Sequence, residues 1–169
     1  MSGGVRRNPK RGLYYSEDGL KTEIVNQDFS LSNCNTTDLP FSLKRKGPVG
    51  GQIGTNYVIC GGKDDDLKIS DNCFSVSSSG KVNTTFANLK FPRYGAASVV
   101  INKTLYISGG IVPKEDSNFH GNASAEIIAE NHENSRFVNN LSQPLSNHCA
   151  VLLSNQKIMV IGKVYILGQ

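Results

Sequence analysis

Arg93-Tyr-Gly-Ala-Ala-Ser-Val-Val-Ile-Asn-Lys-Thr-Leu-Tyr-Ile-Ser-Gly-Gly110 aligns without a gap on Ser146-Asn-His-Cys-Ala-Val-Leu-Leu-Ser-Asn-Gln-Lys-Ile-Met-Val-Ile-Gly-Lys163. In the first copy, Ala96 to Ile101 is an apolar segment, Asn102-Lys103 is a tight turn, and Leu105 to Ser108 runs into Gly109-Gly110. That order of strand, turn and strand is a hairpin. Beyond a polar loop containing Pro113 and Gly121, Ala125-Glu-Ile-Ile128 supplies a third strand, and Arg136-Phe-Val138 a fourth ahead of Pro144.

The same order recurs upstream. Tyr57-Val-Ile-Cys60 leads into Gly61-Gly62, Cys73-Phe-Ser-Val76 follows, and Val82 to Phe86 and Phe91-Pro92 close the unit. Gly61 and Gly109 stand 48 residues apart, and Gly109 and Gly162 stand 53 apart. A repeat of about 50 residues built from short strands is the signature of a propeller blade, a unit that cannot bury its apolar face alone. The expected fold is therefore all-β: a partial propeller of about two to three four-stranded antiparallel blades. Its units lie near 21–40, 41–92, 93–145 and 146–169, behind a basic, disordered tail over 1–20.

Composition sets outer bounds. The chain has 169 residues, of which 38% are apolar and 19% charged, ordinary values for a globular domain. Its net charge of +4 is accounted for by Arg6, Arg7, Lys10 and Arg11. In the remainder only Lys44-Arg45-Lys46 clusters positive charge, so no nucleic-acid interface is expected. No apolar run reaches the roughly 18 residues of a membrane-spanning helix.

Compartment signals conflict. The N-terminus is basic and has no apolar leader core, which favours the cytoplasm if that terminus is native. Four cysteines (Cys34, Cys60, Cys73, Cys149) and five sequons (Asn35, Asn83, Asn102, Asn122, Asn140) favour a secreted or cell-surface parent if it is truncated. Cys60 ends one expected strand and Cys73 begins the next, so a disulfide between them is sterically reasonable if the strands are hairpin neighbours. Reduced core thiols are the alternative.

These units resemble kelch repeats. The kelch pattern has an Arg-led first strand, a second strand of Leu-Tyr-Val-X-Gly-Gly type, a third with an acidic or tyrosyl marker, and a Trp-bearing fourth. Arg93, Leu105-Tyr106-Ile-Ser-Gly109-Gly110 and Glu126 match in the middle unit, and Tyr57-Val-Ile-Cys-Gly61-Gly62 in the one before. Cysteine ahead of the glycine pair resembles kelch proteins of the invertebrate secreted or surface type. Thr22-Glu-Ile-Val25 resembles Ala125-Glu-Ile-Ile128, which places the start of the chain inside an earlier unit. Departures are equally plain. The chain contains no Trp, leaving Phe29, Phe86 or Phe137 as the fourth-strand anchor. Gly162 is followed by Lys163, and Val164-Tyr-Ile-Leu-Gly168 again reads like a second strand, as a deletion, splice variant or truncation would leave it.

The resemblance implies a non-catalytic interaction scaffold, a fragment of a larger kelch-repeat protein with unidentified protein partners and no cofactor. Its gripping loops map to Lys63–Asn72, Ile111–Ser124, Pro40–Gly47 and Ser142–Asn147. The alternative is a remnant of a copper radical oxidase, whose ligating Tyr and His and Cys-Tyr cross-link have no matching set here. His120, His132 and His148 are not spaced to share a metal, and adjacency alone does not make His148-Cys149 a nucleophile. Asp64-Asp65-Asp66 lacks the spaced ligands of a calcium loop. Gly47-Pro-Val-Gly-Gly51 lacks the Lys-Ser/Thr of a phosphate loop and reads as a turn.

Overall fold

A computed structural model describes residues 5–8, 12–15, 45–77, 81–113, 119–130 and 134–162. Among these every regular element is a strand. The chain divides into two compact units, 1–46 and 47–169, whereas the repeat pattern placed a boundary near residue 20. In the first unit β1 (Val5–Asn8) pairs antiparallel with β2 (Gly12–Tyr15), Val5 opposite Tyr15. The expected disordered tail thus carries a hairpin over these residues. Leu13-Tyr14-Tyr15 has strand propensity. The expected unit at 21–40, with Cys34, Asn35 and Phe29, lies outside the described residues, as do His132 and the segment after Gly162.

The second unit opens with a four-stranded antiparallel meander of β3 (Val49–Ile53), β4 (Asn56–Cys60), β5 (Asn72–Ser77) and β6 (Val82–Asn88). A second begins with β7 (Ala97–Ile101) and β8 (Thr104–Ser108). A short hairpin of β9 (Ile111–Pro113) and β10 (Phe119–Gly121) interrupts it before β11 (Ala125–Ala129) and β12 (Arg136–Val138) complete the order β7-β8-β11-β12. A last hairpin pairs β13 (Cys149–Leu152) with β14 (Ile158–Ile161). Gly50-Gly51, expected as part of a turn, sits inside β3. Of the glycines in that stretch, only Gly47 has the left-handed φ, +61°. The sequence ASVVI of β7 and the apolar NYVIC of β4 fit the β region. Asn102 and Lys103, both at positive φ, form the two-residue turn whose twist matches flanking strands.

The two meanders pack face to face. Val49, Ile53, Val58, Cys60, Cys73, Ala87 and Leu89 of the first meet Leu105, Ile107 and Ile128 of the second in one buried cluster. Gly51 makes the approach possible, because a Cβ there would collide with Val100 and come within 3.0 Å of Leu105. At the first-strand ends, β3 lies against β7 and β7 against β13. The Ser98 hydroxyl donates to the Gly50 carbonyl at 2.9 Å and accepts from the Gly50 N–H at 3.2 Å. Just before these strands the Gly95 N–H donates to Gly47 O at 2.9 Å, and the Asn147 N–H to Gly95 O at 2.7 Å. All three residues have φ between +50° and +61°.

These joints give the true repeat register. Gly62 N–H donates to Arg93 O at 2.8 Å, and Gly110 N–H to Leu145 O at 2.7 Å, so Leu145, not Ser146, occupies the place of Arg93. The gapless alignment is one residue out over the first strand. The cause is the β13–β14 turn, where Leu153 N–H bonds Lys157 O across Ser154-Asn155-Gln156, one residue longer than Asn102-Lys103.

Candidate functional site

Arg93 ties the loops of one meander to those of the other. Its backbone serves the first, with its N–H donating to Ser70 O and its carbonyl accepting from Gly62 N–H. Its side chain serves the second: Nη1 donates to the Gly109 carbonyl at 2.7 Å and the Ser124 carbonyl at 3.0 Å, and Nη2 to the Ser124 hydroxyl at 2.8 Å and to Glu126. Both charged groups are fully buried. Glu126 is further held by the Lys90 N–H at 2.7 Å, the Phe91 N–H at 3.3 Å and the Ser135 hydroxyl. Burial pulls the Arg93 pKa down while Glu126 pushes it back up, and a guanidinium so paired stays charged. Among the described residues its Nε has no hydrogen-bond partner.

On this anchored end three side chains from three loops converge. Lys63, after Gly62, lays its ammonium 4.7 Å from the Tyr94 ring centroid and 5.7 Å from that of Phe119. The two rings meet edge to face at 6.3 Å, a favourable aromatic geometry, and the cation adds its attraction to the ring faces. Tyr94 is placed by its bridge to Ile111, and Phe119 by β10, where it pairs with Pro113. Phe119 remains 36% exposed.

The neighbouring loop is built by its own polar groups. Lys63 bridges Ile69, Asp64 N–H donates to Lys68 O at 3.0 Å, and the Asp64 carboxylate accepts the Lys68 N–H at 2.8 Å. Asp64 thereby caps the loop. At the tip Leu67 is 52% exposed with φ +65°. A branched apolar residue held in the left-handed region and turned to solvent is costly, and such outliers cluster at ligand-contacting loops.

The other sequence-derived candidates are dispersed. Cys60 and Cys73 form a disulfide between directly paired residues of β4 and β5, with Cα atoms 4.0 Å apart. Cys149 is free and exposed while His148 beside it is buried. Asn83, Asn102 and Asn140 are exposed; Asn122 is half-buried and accepts the Ser124 N–H at 2.7 Å. Tyr106 is half-buried, with burial raising its pKa against the opposing Ser108 hydroxyl. Phe137, a candidate anchor, is instead 48% exposed and packed at 5.4 Å on exposed Phe91, because β12 is a three-residue edge strand. Phe86 is partly buried against the core. Gly162 abuts His148. Among the described residues no three His, Cys, Asp or Glu side chains are grouped to hold a metal ion, and no helix is long and apolar enough to cross a membrane. The Lys63, Tyr94 and Phe119 cluster is not apparent in the linear sequence. Its only trace is that Lys63 and Phe119 fall in expected gripping loops, whereas Tyr94 does not.

No protein-family model matches the chain, and neither does any curated protein sequence. Among solved structures it is similar to YjhT, described as "Structure of YjhT", with a TM-score of 0.67 and 16% identity over 84% of this chain. The match covers 44% of the YjhT chain, so this protein spans less than half of that length. A likeness at this identity concerns the fold.

Proposed function

We propose that the chain is a kelch-type propeller segment of two to three blades, in the variant with cysteine ahead of the glycine pair, and that it acts as a non-catalytic scaffold gripping partner proteins through its loop rim. Two complete meanders in a 48-residue register, joined by the same backbone hydrogen bonds, support the propeller reading. The observation that carries the binding reading is the Lys63, Tyr94 and Phe119 cluster, a fixed cation beside exposed apolar surface on a rigid sheet support. Leu67, in the loop that follows Lys63, is also exposed. The Cys60–Cys73 disulfide and three exposed sequons support a secreted or cell-surface setting. No cofactor enters this reading.

The test is a quantitative pull-down comparing the chain with a Lys63→Ala/Phe119→Ala variant of equal urea midpoint. Partners retained by the first and lost by the second support the reading. Equal recovery from both, or stoichiometric copper with turnover of a carbohydrate or aldehyde, would reverse it.

A further inference from the structure

In two of the described sequons the asparagine carbonyl turns back on the residue two places along. Asn83 Oδ1 accepts the Thr85 N–H at 3.1 Å and the Thr85 hydroxyl at 3.3 Å. Asn122 Oδ1 accepts the Ser124 N–H at 2.7 Å. Both are turns closed by the asparagine side chain, but what they present differs. Asn83, Thr84 and Thr85 are all exposed on β6, where the pairing with β5 slips between Cys73 and Ser75. Asn83 commits only its oxygen, so its Nδ2 has no hydrogen-bond partner among the described residues. Ser124, by contrast, is buried, and its hydroxyl accepts Arg93 Nη2 at 2.8 Å. The other two sequons lack such a turn among the described residues: Thr104, two places after Asn102, lies in β8 between β7 and β11, and Asn140 and Ser142, though exposed, are not hydrogen-bonded to each other.

We infer that Asn83 is an N-glycan acceptor, modified in preference to Asn122. Transfer to a sequon engages the asparagine amide nitrogen and the hydroxyl two residues on, so both have to reach the transferase together. At Asn83 they do, held side by side on an exposed turn. At Asn122 the hydroxyl belongs to the Arg93 joint. The donor class is a lipid-pyrophosphate-linked oligosaccharide. Nδ2 attacks its anomeric carbon, the C1–N bond forms as the C1–O bond to pyrophosphate breaks, the Nδ2 proton passes to a base of the transferase, and the lipid pyrophosphate leaves. The Asn83 turn is closed within three residues, so it needs no completed sheet to form. The same meander buries the Cys60–Cys73 disulfide, a bond characteristic of the secretory compartments in which such transfer takes place. The inference shares the secreted setting with the reading above and is independent of the loop rim.

The test directs the full 169-residue chain through the secretory pathway of a eukaryotic cell behind an added leader. Its peptides are then treated with peptide-N-glycosidase in heavy-oxygen water, which converts each glycosylated asparagine to a labelled aspartate. Label at Asn83 in most molecules, with Asn122 bare, is the expected result, and Asn83→Gln is expected to remove one glycan from the intact mass. Hydrogen exchange of the unglycosylated chain tests the turn itself. Asn83→Ala is expected to speed exchange of the Thr85 amide about fivefold, the worth of one hydrogen bond, whereas Asn83→Asp, which keeps the accepting oxygen, should leave it slow. Label at Asn102 or Asn140 with Asn83 bare would overturn the inference and leave the secreted setting standing. No label at any sequon would overturn it and remove the sequons from the support for that setting. Equal label at Asn83 and Asn122, or a Thr85 amide indifferent to Asn83→Ala, would show that the turn selects nothing and overturn it as well.

Discussion

Arg93 and Glu126, 33 residues apart, form a fully buried ion pair that holds the chain between the two meanders against the third strand of the second. Each partner keeps several further hydrogen bonds to backbone or hydroxyl groups. Glu126 occupies the position that Phe74 fills in the first meander, since both follow the residue paired with the end of the second strand. The pair therefore serves the joint rather than the strand. Removing one member leaves the other charged and dry. Glu126→Ala is expected to lower stability by about 3–5 kcal/mol in urea unfolding. A loss under about 1 kcal/mol would show that water reaches Arg93.

The Cys60–Cys73 bridge closes a loop of 13 residues in sequence separation. In the chain-entropy account such a loop contributes about 3 kcal/mol. Reduction followed by alkylation is expected to add two labels at these positions and to lower the urea midpoint accordingly. An unchanged midpoint would assign the stability of β4 and β5 to packing alone.

Glycine is required where the second strand turns away. Gly109 has φ +65°, and a Cβ there would lie 2.5 Å from the Leu145 carbonyl and 2.7 Å from His148. The left-handed conformation alone costs an L-residue about 1–2 kcal/mol. Gly109→Ala is expected to cost at least about 2 kcal/mol, measured by thermal or urea unfolding, whereas the exposed Asn102→Gly should be nearly neutral.

His148 adds an acid-sensitive term. Burial holds its pKa below the ordinary 6.5, its Nδ1 has no hydrogen-bond partner among the described residues, and its Nε2 lies 3.4 Å from the Ser108 hydroxyl. The unfolded chain takes up the proton first. Stability is thus greatest above about pH 6.5, falls as pH drops below it, and levels off once the folded state is protonated too. His148→Ala, which restores the residue type found at Ala96, should flatten that slope in unfolding titrations between about pH 7 and 5. A slope that survives the substitution would place the acid response elsewhere.

Much of the strand order is legible because apolar runs bounded by Gly, Asn and Pro have few alternatives to hairpins. Cys60 and Cys73 are legible for the same reason, being at facing strand ends. Gly50-Gly51 misleads, because glycine signals a turn locally while Val100 requires it within a strand. The repeat register is off by one over β13 because a turn of three residues and a turn of two look alike in sequence. The β9–β10 hairpin and the Lys63, Tyr94 and Phe119 cluster are invisible at that level, since three-residue strands carry no periodicity and the cluster depends on loops meeting across separate meanders.

The hydrogen bonds from Gly95 N–H to Gly47 O and from Asn147 N–H to Gly95 O draw on main-chain atoms alone, so this one element of each joint is common to both whatever side chains pack beside it. Duplication of such a module would carry this fastener with it, while the side chains buried between neighbouring modules would still have to fit one another.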